Sequence, residues 1–204
     1  MEKLYKVLSE DGSAWYGGTG KWNLPHDGLP GEWMPPIEGA LVACEAGYHV
    51  CTLRQLLIWL GPRIFEVETR GDLLPCTDKI VAREARLSRE TAWDARCASL
   101  FTCDCAEHVL PYWERLYPTD KRPHGVIGVA RRYARGEATR TELAAARMVA
   151  EEVAWEAWAA ARTAWAAWEV SWAARRAERE WQAQRLLYYL GGGAGEGKGE
   201  GGLR

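Results

Sequence analysis

The chain has 204 residues, 48% of them hydrophobic and 26% charged, with a formal net charge of −2. That is enough apolar surface for one domain or two small ones, and the near-neutral balance argues against a dedicated nucleic-acid binder, which carries a basic excess. No uncharged apolar run reaches the roughly 18 residues of a membrane span. The opening MEKLYKVLSEDG, charged and broken by Gly12, does not read as a secretory leader. A cytoplasmic protein is expected, with its six cysteines reduced.

Gly, Pro and β-type runs fill the chain up to about Leu87, and helical patterns follow. Leu4–Leu8 reads as a strand, Asp11-Gly12 as a turn, and Ala14–Tyr16 as a short return strand. Residues 17–39, rich in Gly and Pro, predict an irregular loop, the Gly17-Gly18-x-Gly20 cluster included. Short strands are expected at Leu41–Cys44 and Tyr48–Cys51, and a helix at Leu53–Leu60 with Thr52 as N-cap and Gly61 as stop. Arg63–Thr69 and Asp78–Ala85 complete the strands.

A helix follows from about Arg89 to Leu116, with Trp93, Cys97, Leu100 and Phe101 on one face. Pro111 is expected to kink or end it. The next helix starts at Pro123 and stops before Gly136. Thr139-x-x-Glu142 is a capping box that opens the last helical stretch, and no Gly or Pro follows until Gly191. An unbroken helix of that length would span roughly 75 Å, so a helical hairpin is the alternative.

Within this stretch Trp158, Trp165, Trp168 and Trp172 fall within about 80° on a helical wheel, flanked by Trp155, with Ala at most other positions. Such a stripe needs a cover. The cover is a packing seam inside the protein, an interface with a second copy or another protein, or a stacked cofactor.

Cys44, His49 and Cys51, with Cys76 as a fourth, are candidate zinc ligands, although their spacing matches no standard zinc module and small buried cysteines also serve as core. Asp104 and His108, four apart on a helix, predict a structural polar pair. No Walker loop, GxSxG, HExxH or GxGxxG is present, so no complete catalytic motif is read.

Three resemblances can be placed on quoted residues. YKVL, CEAGYHVC, a helix ending in IWL, FEVETRGD and DKIVAREARL, over about Leu4–Leu87, resemble a phage-associated domain of unknown function. The GYHVC–helix–FEVE order also resembles part of the ADP-ribosyltransferase fold. That likeness implies an NAD or nucleotide pocket around Tyr48, His49 and Trp59, and leaves Glu66, Glu68 and Glu84 as acidic candidates by strand position only. LFTCDCAEHVLPYWE and DKRPHGVIGVARRYARGEAT, with the Ala-rich helix, are similar to helical immunity proteins of bacterial toxin systems, which implies binding rather than catalysis.

The expected fold is α+β: a small β-rich α+β domain over 1–87, a helical domain over 88–190, and a flexible Gly-rich tail over 191–204. The leading functional expectation is a phage- or mobile-element-type accessory protein that binds another protein or a second copy of itself. The alternatives are an ADP-ribosyltransferase-like NAD or nucleotide-binding protein, and a zinc-stabilised structural module.

Overall fold

The structure is a computed structural model that describes residues 2–18, 20–163 and 168–193, with side chains described at all of these except 156–163 and 168–174. Its order is β1 (Leu4–Leu8), β2 (Tyr48–Val50), α1 (Leu53–Leu56), β3 (Arg63–Pro75), β4 (Ile80–Glu90), α2 (Ala95–Leu116), α3 (Arg122–Ala134), α4 (Arg140–Thr163) and α5 (Trp168–Leu190). The fold is α+β, with an antiparallel sheet first and helices after. Two compact units divide it: Met1–Asp94 with Ala183–Gly193, and Ala95–Gln182. The end of α5 thus belongs to the first unit.

In the first unit the strand order is β1-β3-β4-β2, so β1 and β2 are the two edges. The edges meet. Tyr5 N–H donates to the Cys51 carbonyl at 2.8 Å and Cys51 N–H to the Tyr5 carbonyl at 2.9 Å, which curls the sheet into a small barrel. Register shifts at Glu66/Val67 and Arg70/Leu73 of β3 supply the bend. On the concave face Leu8, Trp22, Val50, Phe65, Val67, Ala85 and Leu87 form the core, with Leu4, Tyr48 and Ile80 packed on it. Tyr5 and Ile64 are buried as well. At the end of α5, Ala183, Leu186, Tyr189 and Leu190 recur at helical spacing and are buried, and the Leu190 carbonyl accepts from Ala92 N–H at 3.1 Å.

The long loop is irregular but ordered by β4. The N–H groups of Gly31, Met34 and Ile37 donate to the carbonyls of Leu87, Ala85 and Arg83 at 2.9–3.0 Å. They cover the edge of β4 beyond the three residues paired with β2, where open donors and acceptors would invite another strand. Pro30, Pro35 and Pro36 lack the N–H a regular ladder needs, so this cover is not a strand. Leu41–Cys44 is likewise not a strand; only a Val42–Ala46 bridge forms there.

The caps appear as expected. Thr52 and Gln55 form a capping box on α1, which stops at Leu56 rather than Leu60. Glu142 N–H donates to Thr139 Oγ1 at 3.2 Å while Thr139 N–H donates to Glu142 Oε2 at 2.8 Å. Gly136, with φ 77°, ends α3. Pro111 does not end α2, which continues to Leu116. Packing explains this: Leu110 and Trp113, on either side of the proline, both lie in a cluster with Cys103 and Ile127, and that burial outweighs one lost hydrogen bond.

The last helical stretch is two helices. Ala154 of α4 lines an apolar groove with Val109 and Leu110 of α2, while Trp181 of α5 stacks on His108 of α2 at 3.8 Å. A straight helix would hold residues 154 and 181 about 40 Å apart, so one continuous rod is excluded and the hairpin alternative holds. Residues 164–167 between the helices, and the tail 194–204, lie outside the described residues.

Gly47 precedes β2 with φ 140°, and a Cβ there would stand 2.1 Å from Val81 Cγ1. Gly47→Ala is expected to cost about 2 kcal/mol or more, measured by chemical denaturation. In a Val81→Ala background the penalty should shrink by about 1 kcal/mol; equal penalties in both backgrounds would locate the strain elsewhere.

Candidate functional site

In the helical unit, buried charge has selected its partners across helices. Asp104, 6% exposed, is the buried acid of α2, and Arg131 of α3 pairs with it at 2.7 Å. Arg131 also reaches the exposed Glu107. His108 turns instead to α5, where its Nδ1 lies 2.7 Å from Glu178 Oε2 and its ring stacks on Trp181. Asp104 and His108, expected from their spacing to pair with each other, each take an interhelical partner, Arg131 and Glu178. The reason is energetic: a buried carboxylate is held best by a permanent cation, which a histidine is not.

Two apolar rows remain on the surface of this unit. On α2, Val109, Tyr112 and Leu116 follow i, i+3, i+7 spacing and are 38%, 57% and 69% exposed. On α4, Met148 and Trp155, seven apart, are each 68% exposed. Between α2, α3 and α4 runs an apolar groove of about 250 Å³ floored by Leu110, Trp113 and Ile127. Of the stripe expected from sequence, only Trp155 has a described side chain; those of Trp158, Trp165, Trp168 and Trp172 lie outside the described residues. The α2 row has helical spacing legible in the sequence, on the face opposite to the buried one.

The first unit contains a cavity of about 310 Å³ lined by Lys6, Tyr16, His49, Cys51, Trp59 and Lys79, with Gly17, Gly18 and Cys44. The Tyr5–Cys51 closure builds it by bringing β1 beside β2. His49 and Trp59 thus come together as the nucleotide-pocket reading expects, but Tyr48 does not join them. Its ring packs against Trp22 in the core and its hydroxyl donates to the Pro35 carbonyl at 2.6 Å. Strand alternation explains the split, since Tyr48 and His49 are neighbours and face opposite ways. None of Glu66, Glu68 and Glu84 lines the cavity. Glu66 and Glu68 instead form cross-strand pairs with Arg89 and Arg86.

Lys6 is the residue that spacing alone could have flagged. In LYKVL it shares a face with Leu4 and Leu8, both packed in the core cluster. Its Nζ donates to the His49 carbonyl at 3.1 Å and sits 5.2 Å from the Trp22 ring centroid. Burial pushes the ammonium down to about 8. Burial also holds the neighbouring Cys51 thiol up at about 11, so it stays neutral. The His49 imidazole is lowered by burial first and then by Lys6 and Lys79. Cys44, at φ 68°, donates its N–H to His49 Nε2 at 3.1 Å, which fixes the ring proton on Nδ1. Lys79 is raised, chiefly by its hydrogen bond to Asp78.

The fourth sequence candidate for zinc, Cys76, lies outside the cavity lining. Among the described residues no group of three or more His, Cys, Asp or Glu is placed to hold a metal ion. No helix among them is long and apolar enough to cross a membrane.

Residues 94–168 match a family model described as "Imm-5 like putative immunity protein". The match covers all of α2, α3 and α4, and therefore both exposed rows. No curated protein and no solved structure matches the chain.

The two buried charges give separate expectations. Asp104→Ala would leave the Arg131 guanidinium with only the exposed Glu107 and cost about 2 kcal/mol or more, whereas Glu107→Ala, at the exposed end of the same guanidinium, would cost under about 1 kcal/mol; urea unfolding of the two variants checks the order. For Lys6, the folded pKa of about 8 lies below the value of 10.5 for the unfolded chain. Between these values the unfolded state holds a proton that the folded state has released, so this group's contribution to stability rises with pH. Cys51 acts oppositely above about pH 9. The unfolding free energy of wild type minus that of Lys6→Met should therefore rise by on the order of 1–2 kcal/mol between about pH 8 and 10, and a flat difference would contradict the burial of the amine.

Proposed function

We propose that the helical unit acts as an immunity-type binding module that occludes a protein toxin. The observation that carries this is the pair of exposed apolar rows, Val109–Tyr112–Leu116 and Met148–Trp155, on the segment that matches the immunity family model. Large apolar side chains left in water at regular spacing are costly unless a partner covers them. Tyr and Trp are also the residue types that most often dominate protein interfaces. The Trp158, Trp165, Trp168 and Trp172 stripe, read from sequence spacing, is a further candidate for contact with the partner. The resemblance of residues 4–87 to a phage-associated domain supports the finer reading of a phage- or mobile-element-type accessory protein acting in the cytoplasm.

The test begins with the full chain on an affinity matrix. A retained protein is identified, produced alone and recombined with the chain from purified components. Support would be a stoichiometric complex that suppresses the partner's toxicity on co-expression. Tyr112→Ala and Trp155→Ala should each weaken it about tenfold or more, at unchanged melting temperature because both side chains are exposed. Full affinity in both variants would remove these rows from the interface. Self-association of the chain with no second protein bound would replace the toxin by a second copy.

A further inference from the structure

The cavity of the first unit holds an electrostatic imbalance that neither the helical surface nor the family match explains. Lys6 stands in the concave core row of β1, between Leu4 and Leu8. Its ammonium has the His49 carbonyl and the Trp22 ring as neighbours. The second cation, Lys79, pairs with Asp78 at 3.1 Å, and that carboxylate is not part of the cavity wall. Among the described residues, no carboxylate side chain lines the cavity. His49 adds a ring N–H, because its Nε2 is occupied by the Cys44 N–H. A buried cation is ordinarily compensated by an anion, and here the wall supplies none.

The rest of the lining gives the ligand a second property. Tyr16 and Trp59 stand edge to face with centroids 5.0 Å apart. Both are anchored: Tyr16 OH donates to the Leu60 carbonyl at 2.7 Å and Trp59 Nε1 to the Asp78 carbonyl at 2.7 Å. Rings whose polar tips are already satisfied offer apolar surface and fixed orientation. Gly17 and Gly18, at φ 68° and 97°, add wall without side chains. The volume, about 310 Å³, sits at the small end of ligand pockets.

We propose that this cavity binds a small phosphomonoester carrying a flat ring, of mononucleotide size, with the phosphate between Lys6 and Lys79 and the ring against Trp59 and Tyr16. Two lysines acting as point charges match a phosphate dianion better than a single carboxylate. The site is independent of toxin binding by the helices, and either can fail without the other.

Isothermal titration and thermal shift on the full chain test it, with AMP, UMP, ribose 5-phosphate, inorganic phosphate and adenosine as probes. At least one nucleoside monophosphate should bind about tenfold or more tightly than inorganic phosphate and raise the melting temperature, while adenosine should not. Lys6→Met should abolish this binding and at the same time raise the melting temperature of the ligand-free protein at neutral pH, because it removes a buried charge. That combination separates a lost ligand contact from a lost fold. Lys79→Met should weaken binding with little effect on melting. Equal binding of ribose 5-phosphate and AMP would overturn the ring contact. No binding of any phosphate-bearing probe at millimolar concentration, or unchanged binding in Lys6→Met, would overturn the site.

Discussion

Two backbone hydrogen bonds between Tyr5 and Cys51 hold the edges of the sheet together, and the chemistry of the first unit depends on them. They set β1 beside β2, and so Lys6 beside His49 and Cys51. They also give a four-stranded sheet a closed side, so that Leu8, Phe65 and Leu87 find a shared interior. The remaining open edge of β4 is covered by Gly31, Met34 and Ile37. Without closure and cover, the same strands would present two exposed ladders and no cavity.

The parts of this fold legible in the sequence are those decided locally. The Thr52–Gln55 and Thr139–Glu142 boxes satisfy helix ends within one turn. Gly136 adopts a left-handed conformation that ends α3 on its own. Strand β1 is read from alternation alone. What could not be read depends on residues distant in sequence. Nothing in CTLR marks Cys51 as the partner of Tyr5. The prolines near residue 35 erase the strand pattern of a segment that nevertheless pairs with β4. Pro111 reads as a stop because the sequence does not show how well Leu110 and Trp113 pack on α3.

The polar residues repeat this division. Spacing of four places Asp104 and His108 within reach of each other, but reach is only a necessary condition. Burial also selects partners: it assigns the permanent cation Arg131 to the enclosed Asp104, while His108 meets Glu178. The same logic works in reverse at Lys6. Its alternation with Leu4 and Leu8 can be read from five residues, whereas the absence of a carboxylate among the described residues of the cavity wall is a property of the assembled fold.

That contrast bears on why the first unit tolerates Lys6 at all. A methionine or leucine at this position would continue the core row of β1 and spare the protein the desolvation of an ammonium. The cation–π contact with Trp22 and one carbonyl acceptor offset only part of that loss, as the lowered affinity of the amine for its proton indicates. Structural need does not account for the choice, because the neighbouring Leu4 and Leu8 already close the core. A charge kept where packing alone would exclude it is the kind of departure from local consistency that marks a functional position. The helical unit departs in the opposite sense, by keeping Tyr112, Leu116 and Trp155 in water where solubility alone would favour polar side chains. One unit thus retains a cation inside and the other retains apolar rows outside, and each departure is of the kind that the proposed ligand would relieve: an anion for the cavity, a protein surface for the helices.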